Sequence, residues 1–197
     1  MEKAVVMIDA GFLSKVSYKL GEGHYFKYDL LKFAKHLCGK KQLIFKHLFF
    51  YNAPPFQSQP PTKEEKKKKE EYDFFVQKLK KNIDEVTIRE GRCQRLKIDG
   101  KYHYKQKGVD TLITMDLMDI PLRKDKTNTV ILIASDSDFV PVINRLKSLA
   151  INIFLYTYFE RNRKSQFSTS NKLLGAVTQY FKLTNQDFQT CKFNSIN

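Results

Sequence analysis

Residues 130–134 (VILIA) are five consecutive apolar positions that open without a spacer into Ser135-Asp136-Ser137-Asp138-Phe139. A strand with no polar position has no face to offer water, so it belongs in a sheet covered on both sides. Such sheets are parallel, with helices packed above and below. Residues 4–8 (AVVMI) form a second run of this kind and end at Asp9. Further strands are expected at 42–51, 86–89 and 151–156. Helical spacing covers 28–38, 63–81, 109–118, 139–149 and 173–181. Strands alternating with helices make an α/β protein of three layers, α/β/α, around a mostly parallel central sheet.

At 197 residues the chain is the size of one domain, and 1–197 is read as one. A hydrophobic content of 42% excludes global disorder, and no apolar run approaches the roughly 20 residues that span a bilayer. The apolar run near the N-terminus is too short for a secretory leader. Cys38, Cys93 and Cys191 are odd in number and form no C-x-x-C pair, which points away from disulfides and structural zinc. The expected location is the reducing cytoplasm, with no membrane partner. His24, His36, His47 and His103 make no zinc-binding pattern, and no glycine-rich phosphate loop is present.

Net charge is +14, yet residues 108–140 hold six carboxylates against three cations. A basic chain attracts polyanions, and an acidic island within it suggests a bound divalent cation. The lysine-rich run at 63–71 does not contribute to this, because its signs alternate at i,i+4 spacing and suit a solvated helix.

Ligand sites in open parallel sheets lie beyond the carboxyl ends of the strands. Asp9 ends one apolar strand, while Asp136 and Asp138 follow another. Asp110 opens a helix, with Asp116 further along it. Two carboxylates about 5 Å apart repel by roughly 3 kcal/mol at an effective dielectric near 20, a cost that a divalent ion removes. Mg²⁺ or Mn²⁺ suits such hard oxygen donors and leaves room for water and phosphate. The plainer alternative is that Asp136 or Asp138 caps the following helix.

Three segments carry a family resemblance: VVMIDAGFL at 5–13, KGVDTLITMDL at 107–117, and VILIASDSDFVPVINRLKSLAINI at 130–153. In order and spacing they resemble the signature blocks of the NYN domain, in its LabA-like branch. The resemblance covers most of residues 4–183. It implies a PIN-like, Rossmann-like fold and metal-dependent ribonuclease chemistry in which Asp9, Asp110, Asp136 and Asp138 hold Mg²⁺ or Mn²⁺ directly or through water. Asp116 and Ser135 are then expected one layer back. The first block often carries Asn three residues after its Asp, where this chain has Phe12. Near the last helix, where relatives often carry an acid, it has Thr178.

The substrate side is expected at 92–107, where six basic residues face Asp99 alone. Asp99-Gly100 signals a hairpin. A two-residue turn would put Arg95, Lys97, Tyr102 and Tyr104 on one face, suited to phosphates and stacked bases. A three-residue bulged turn would instead pair the tyrosines with Leu96 and Ile98 in the core. Lys107 could touch phosphate or neutralise the acids, and Arg161 and Arg163 form a second basic cluster beyond the 151–156 strand. The partner expected is nucleic acid, RNA before DNA, with a homodimer left open. Other classes also fit in part: a silent RNA-binding module that keeps the fold, a Toprim-like domain, which would carry Glu at Asp9, or a haloacid-dehalogenase-type phosphatase, which needs D-x-D on the first strand.

Overall fold

The computed structural model describes residues 1–81, 84–160, 165, 167–168 and 170–193. Its centre is a sheet of six strands, every pairing parallel. In chain order they are β1 (Lys3–Asp9), β2 (Ile44–Asn52), β3 (Val86–Glu90), β6 (Thr129–Ile133), β7 (Asn152–Thr157) and β8 (Gln179–Lys182). Two strands, β4 (Arg92–Ile98) and β5 (Lys101–Lys107), form a separate antiparallel hairpin.

The spatial order β3-β2-β1-β6-β7-β8 places a reversal between β1 and β6. The chain winds outward from β1 through β2 to β3, returns to β6 on the other side, and winds outward again. At such a switch point the connections leave in opposite directions and open a crevice beyond the strand ends. Both strands that end in acids meet there.

Period-two alternation divides the sheet's side chains between two cores. Ala4, Val6, Ile8, Leu48, Phe50, Ile131 and Ile133 face one layer, made by α1 (Ala10–Leu20), α2 (Leu30–Gly39), α3 (Lys63–Lys80) and the short α7 (Asn185–Gln189). Val5, Met7, Phe49, Tyr51, Val130 and Leu132 face the other, made by α4 (Val109–Asp119), α5 (Val140–Ser148) and α6 (Asn171–Ala176). The α/β/α architecture read from the apolar runs is therefore present.

Three local expectations change. Residues 10–20, where no element is expected, form α1, with Phe12, Leu13 and Val16 buried on one side. The helix expected over 173–181 is α6 followed by the edge strand β8. Its break is at Val177, which is extended, and at Thr178, which exchanges hydrogen bonds with Ile153 of β7: Thr178 N donates to the Ile153 carbonyl at 2.9 Å and Ile153 N donates to Thr178 Oγ1 at 3.0 Å. Thr178 thus serves sheet pairing. The 139–149 helix begins with a single 3-10 turn, Ser137–Phe139, before α5.

Among the described residues, no helix is long and apolar enough to cross a membrane.

Candidate active site

At the switch point lies an open cleft of about 570 Å³. Asp9, Asp110 and Asp136 line it, together with Ser135 and Ser137. Each acid arrives by a different local device. Asp9 is the last residue of β1 and the N-cap of α1, its Oδ1 accepting from Phe12 N at 3.1 Å. Asp136 caps the 3-10 turn, its Oδ1 accepting from Asp138 N at 2.9 Å. Asp110 sits in the first turn of α4, behind Gly108, whose φ of 82° suits glycine. Capping is therefore real at both strand ends, and it also fixes the carboxylates where the strands deliver them.

Electrostatics mark these acids as a group. Burial lifts the Asp9 carboxyl above the ordinary carboxylate range, and the neighbouring charge of Asp110 lifts it further against the Phe12 and Gly11 amides and Lys15. Burial also lifts Asp110, followed by the charges of Asp136 and Asp138. Asp138 does not line the cleft; it stands exposed at its rim and acts on Asp110 through its charge. The N-termini of α1 and α4 point into the same region, and their aligned peptide dipoles favour negative charge.

Among the described residues, no three His, Cys, Asp or Glu side chains stand close enough to hold one metal ion by themselves. The donor set is nonetheless all oxygen, carboxylates and serine hydroxyls, as a hard divalent ion prefers. Such an ion would fit with one or two carboxylates and the rest of its shell from water and phosphate, which is how Mg²⁺ is usually bound.

Asp116 is placed elsewhere. Six residues along α4 from Asp110 it has turned to another face, where it is buried and accepts from Tyr51 Oη at 2.9 Å and from Arg89 Nε and Nη2 at 3.0 Å each. It ties α4 to β2 and β3, and the expected place one layer behind the acids is corrected by these contacts. Ser135, by contrast, lines the cleft itself. Lys107 also departs from expectation, lying exposed beside Glu90, Gly91 and Arg92 rather than among the cleft residues. Lys15, one turn and a half along α1 from Asp9, is the cation that lines the cleft among the described residues.

The hairpin has the two-residue turn. Ile98 pairs with Lys101, and Asp99 and Gly100 both have positive φ, 48° and 76°. Arg95 lies opposite Tyr104 and Lys97 opposite Tyr102, so the four share a face, with the tyrosines 57% and 56% exposed. They are not core residues. Arg95 is engaged: its guanidinium lies 4.5 Å from the Phe56 ring centre and 4.4 Å from that of Tyr102, with Glu65 Oε1 at 3.5 Å. Gln106, on the same face, reaches from the hairpin into the cleft, donating to Asn52 Oδ1 at 3.0 Å. Gly11 permits that approach, since a Cβ there would lie 2.8 Å from Gln106 Oε1. Arg161 and Arg163 lie outside the described residues.

The family model of the NYN domain matches residues 4–184. The chain belongs to the NYN-domain family. NYN domains are PIN-like nucleases, so membership supports a nuclease and a nucleic-acid partner for this domain. No curated protein matches the chain. A solved structure of a protein of unknown function, VPA0982 from Vibrio parahaemolyticus RIMD 2210633, is similar in fold, with a TM-score of 0.58, 17% identity and 95% of each chain covered.

Lys15, Gln106 and Asn52 escape the sequence reading, as do Phe167, Ser168 and Ser170, which also line the cleft. Only the basic character of Lys15, six residues after Asp9, could have flagged it. Gln106 sits at an inward position of the hairpin, but its target is set by tertiary packing.

Proposed function

We propose that this NYN domain is a divalent-metal-dependent ribonuclease whose scissile phosphate lies over Asp9, Asp110 and Asp136. The supporting observation is that acids from β1, α4 and the β6 end line one cleft, where burial and then the Asp110 charge raise Asp9, and burial and then the charges of Asp136 and Asp138 raise Asp110. A bound Mg²⁺ or Mn²⁺ would supply electrophilic stabilisation of phosphate oxygens and an acidified water for hydrolysis. Asp9, Asp110 and Asp136 would hold it, one or two of them directly and the rest through water, and Asp138 adds charge from the rim. Lys15 offers a cation to a neighbouring phosphate, and the serine hydroxyls at 135 and 137 offer donors to its oxygens. The hairpin face of Lys97, Tyr102 and Tyr104 leads away from Gln106, so a strand leaving the cleft meets rings on which bases can stack.

Purified protein incubated with labelled single-stranded RNA and DNA, in Mn²⁺, Mg²⁺ or EDTA, tests this. The expected products are 5′-phosphate and 3′-hydroxyl ends, formed only with metal and lost in Asp9→Asn and Asp136→Asn. Cyclic phosphate ends, or undiminished cleavage in EDTA, reject the mechanism. A second reading, a binding module that no longer hydrolyses, draws on the absence of a three-ligand group among the described residues. It requires unchanged RNA binding in EDTA and no cleavage in either metal.

A further inference from the structure

A second groove, of about 680 Å³, adjoins the acid cleft and shares Gly11, Lys15 and Gln106 with it. Its walls are aromatic. Phe26 and Tyr28 are held in place by packing on Phe188, with ring centres 5.1 Å apart in each case, and Phe75 packs edge-on against Phe50 at 5.6 Å. Two rings at its rim keep free area: Tyr25 is 63% exposed and Phe193 47%.

The charges around the groove select its occupant. Lys15 and Lys27 line it, and among the described residues no acidic side chain does. At the junction with the cleft, the Asn52 amide accepts through Oδ1 from Gln106 and from Ala53 N, while its Nδ2 has no hydrogen-bond partner among the described residues. An apolar slot with a free amide donor at its inner end and cations at its edge suits a flat, polar-edged ring attached to a phosphate. The volume lies within the range of pockets that enclose nucleoside-sized ligands.

We propose that this groove receives an unpaired nucleobase of the strand whose phosphate lies over the acids, stacked against Tyr25 and Phe193, with Lys15 on the phosphate between the two sites. This rests on the reading of the acid cleft as a phosphate site. It assigns α1 and the segment after it to substrate binding, on the opposite side of Gln106 from the hairpin. The strand thus enters along one aromatic surface and leaves along another.

The test is binding of the full chain to a labelled single-stranded RNA hexamer in EDTA, by fluorescence anisotropy, with one abasic site moved through the six positions. Stacked bases should show as one or two adjacent positions where removal weakens binding by about five- to 150-fold. In Tyr25→Ala the same removal should cost less than twofold, while Tyr25→Phe should keep the wild-type penalty. Phe193→Ala serves as the second variant, and both sites are exposed enough that melting should change little. Sensitivity that responds to Tyr104→Ala and not to Tyr25→Ala belongs to the hairpin. Absence of binding, absence of a sensitive position, or equal penalties in wild type, Tyr25→Ala and Phe193→Ala overturns the proposal, and would leave the groove to an apolar partner of another kind. Cleavage is scored separately in Mn²⁺. A strand bound as described but never cut keeps the groove and refutes the nuclease, whereas cutting indifferent to Tyr25 and to the base does the reverse.

Discussion

Replacing Asp116 by Ala removes the acceptor shared by Tyr51 and Arg89, and the two partners are placed very differently. Tyr51 is 0% exposed, so its hydroxyl cannot turn to water; a buried donor left without a partner costs about 1–3 kcal/mol. The Arg89 side chain is 46% exposed and can rehydrate, so its share stays within about 1 kcal/mol. The expected loss for Asp116→Ala is therefore about 1–4 kcal/mol. Tyr51→Phe alone leaves both bonds to Arg89 in place and should cost about 0.5–1.5 kcal/mol. In the Asp116→Ala background the same Tyr51→Phe change should cost nothing or be stabilising, because the stranded hydroxyl is gone. Urea unfolding of the four proteins in EDTA gives this coupling as a double-mutant cycle. The rise in melting temperature expected with Mg²⁺ or Mn²⁺ should persist in Asp116→Ala, since the contact anchors α4 and does not touch the acids. Additivity within about 0.5 kcal/mol, the behaviour of independent sites, would show that the three side chains do not act as one unit.

In EDTA at pH 7, Asp110→Asn should be more stable than wild type. Burial and its neighbours raise the carboxyl's pKa in the native state, which then binds more protons than the unfolded chain, and the charged form is destabilising. That advantage should be complete above the raised pKa and fade as pH falls toward 3.8, the unfolded value; a pH-independent difference contradicts it. Mg²⁺ or Mn²⁺ at constant ionic strength should raise the melting temperature of wild type and not of Asp110→Asn. Asp187 should behave oppositely to Asp110. Burial alone would raise its carboxyl, but bonds from Lys40 and Thr184 outweigh that and depress it, so its stabilisation is present above 3.8 and lost as pH falls through the depressed value. Asp187→Asn should therefore flatten the acid limb of a stability profile. Gly91→Ala should destabilise by about 1–3 kcal/mol, because its Cβ would lie 2.5 Å from the Lys107 carbonyl oxygen and 3.0 Å from Val109 Cγ2; unchanged urea midpoints would count against that close approach.

The two strand-end acids are legible in the sequence because apolar runs stop at them, and a buried strand leaves its terminal polar residue only the crevice to occupy. Asp110 is legible through Gly108, which marks a helix start. The fate of Asp116 is not, since α4 presents acids on more than one face and only the position of Arg89, 27 residues earlier, decides which face is paired internally. The hairpin register follows from Asp99-Gly100, yet two turns fit the sequence, and the exposed tyrosines separate them only in three dimensions. The edge strand β8 hides for a related reason. Gln179–Lys182 has no alternation of its own to display, and its extended state is held by pairing with β7. Lys15 belongs to a helix whose apolar side was not separable from the strand before it.

The β4–β5 hairpin begins and ends at directly opposed residues, since Arg92 pairs with Lys107. Opposed residues in an antiparallel ladder lie about 4.5–5.5 Å apart, so the chain leaves β3 and enters α4 through one narrow neck. Lengthening, trimming or exchanging what lies beyond that neck leaves the closure distance, and hence the order of the six parallel strands, unaltered. Under the proposed function, the arm beyond Gln106 can therefore diverge in length and charge while the acids stay where β1, α4 and β6 put them.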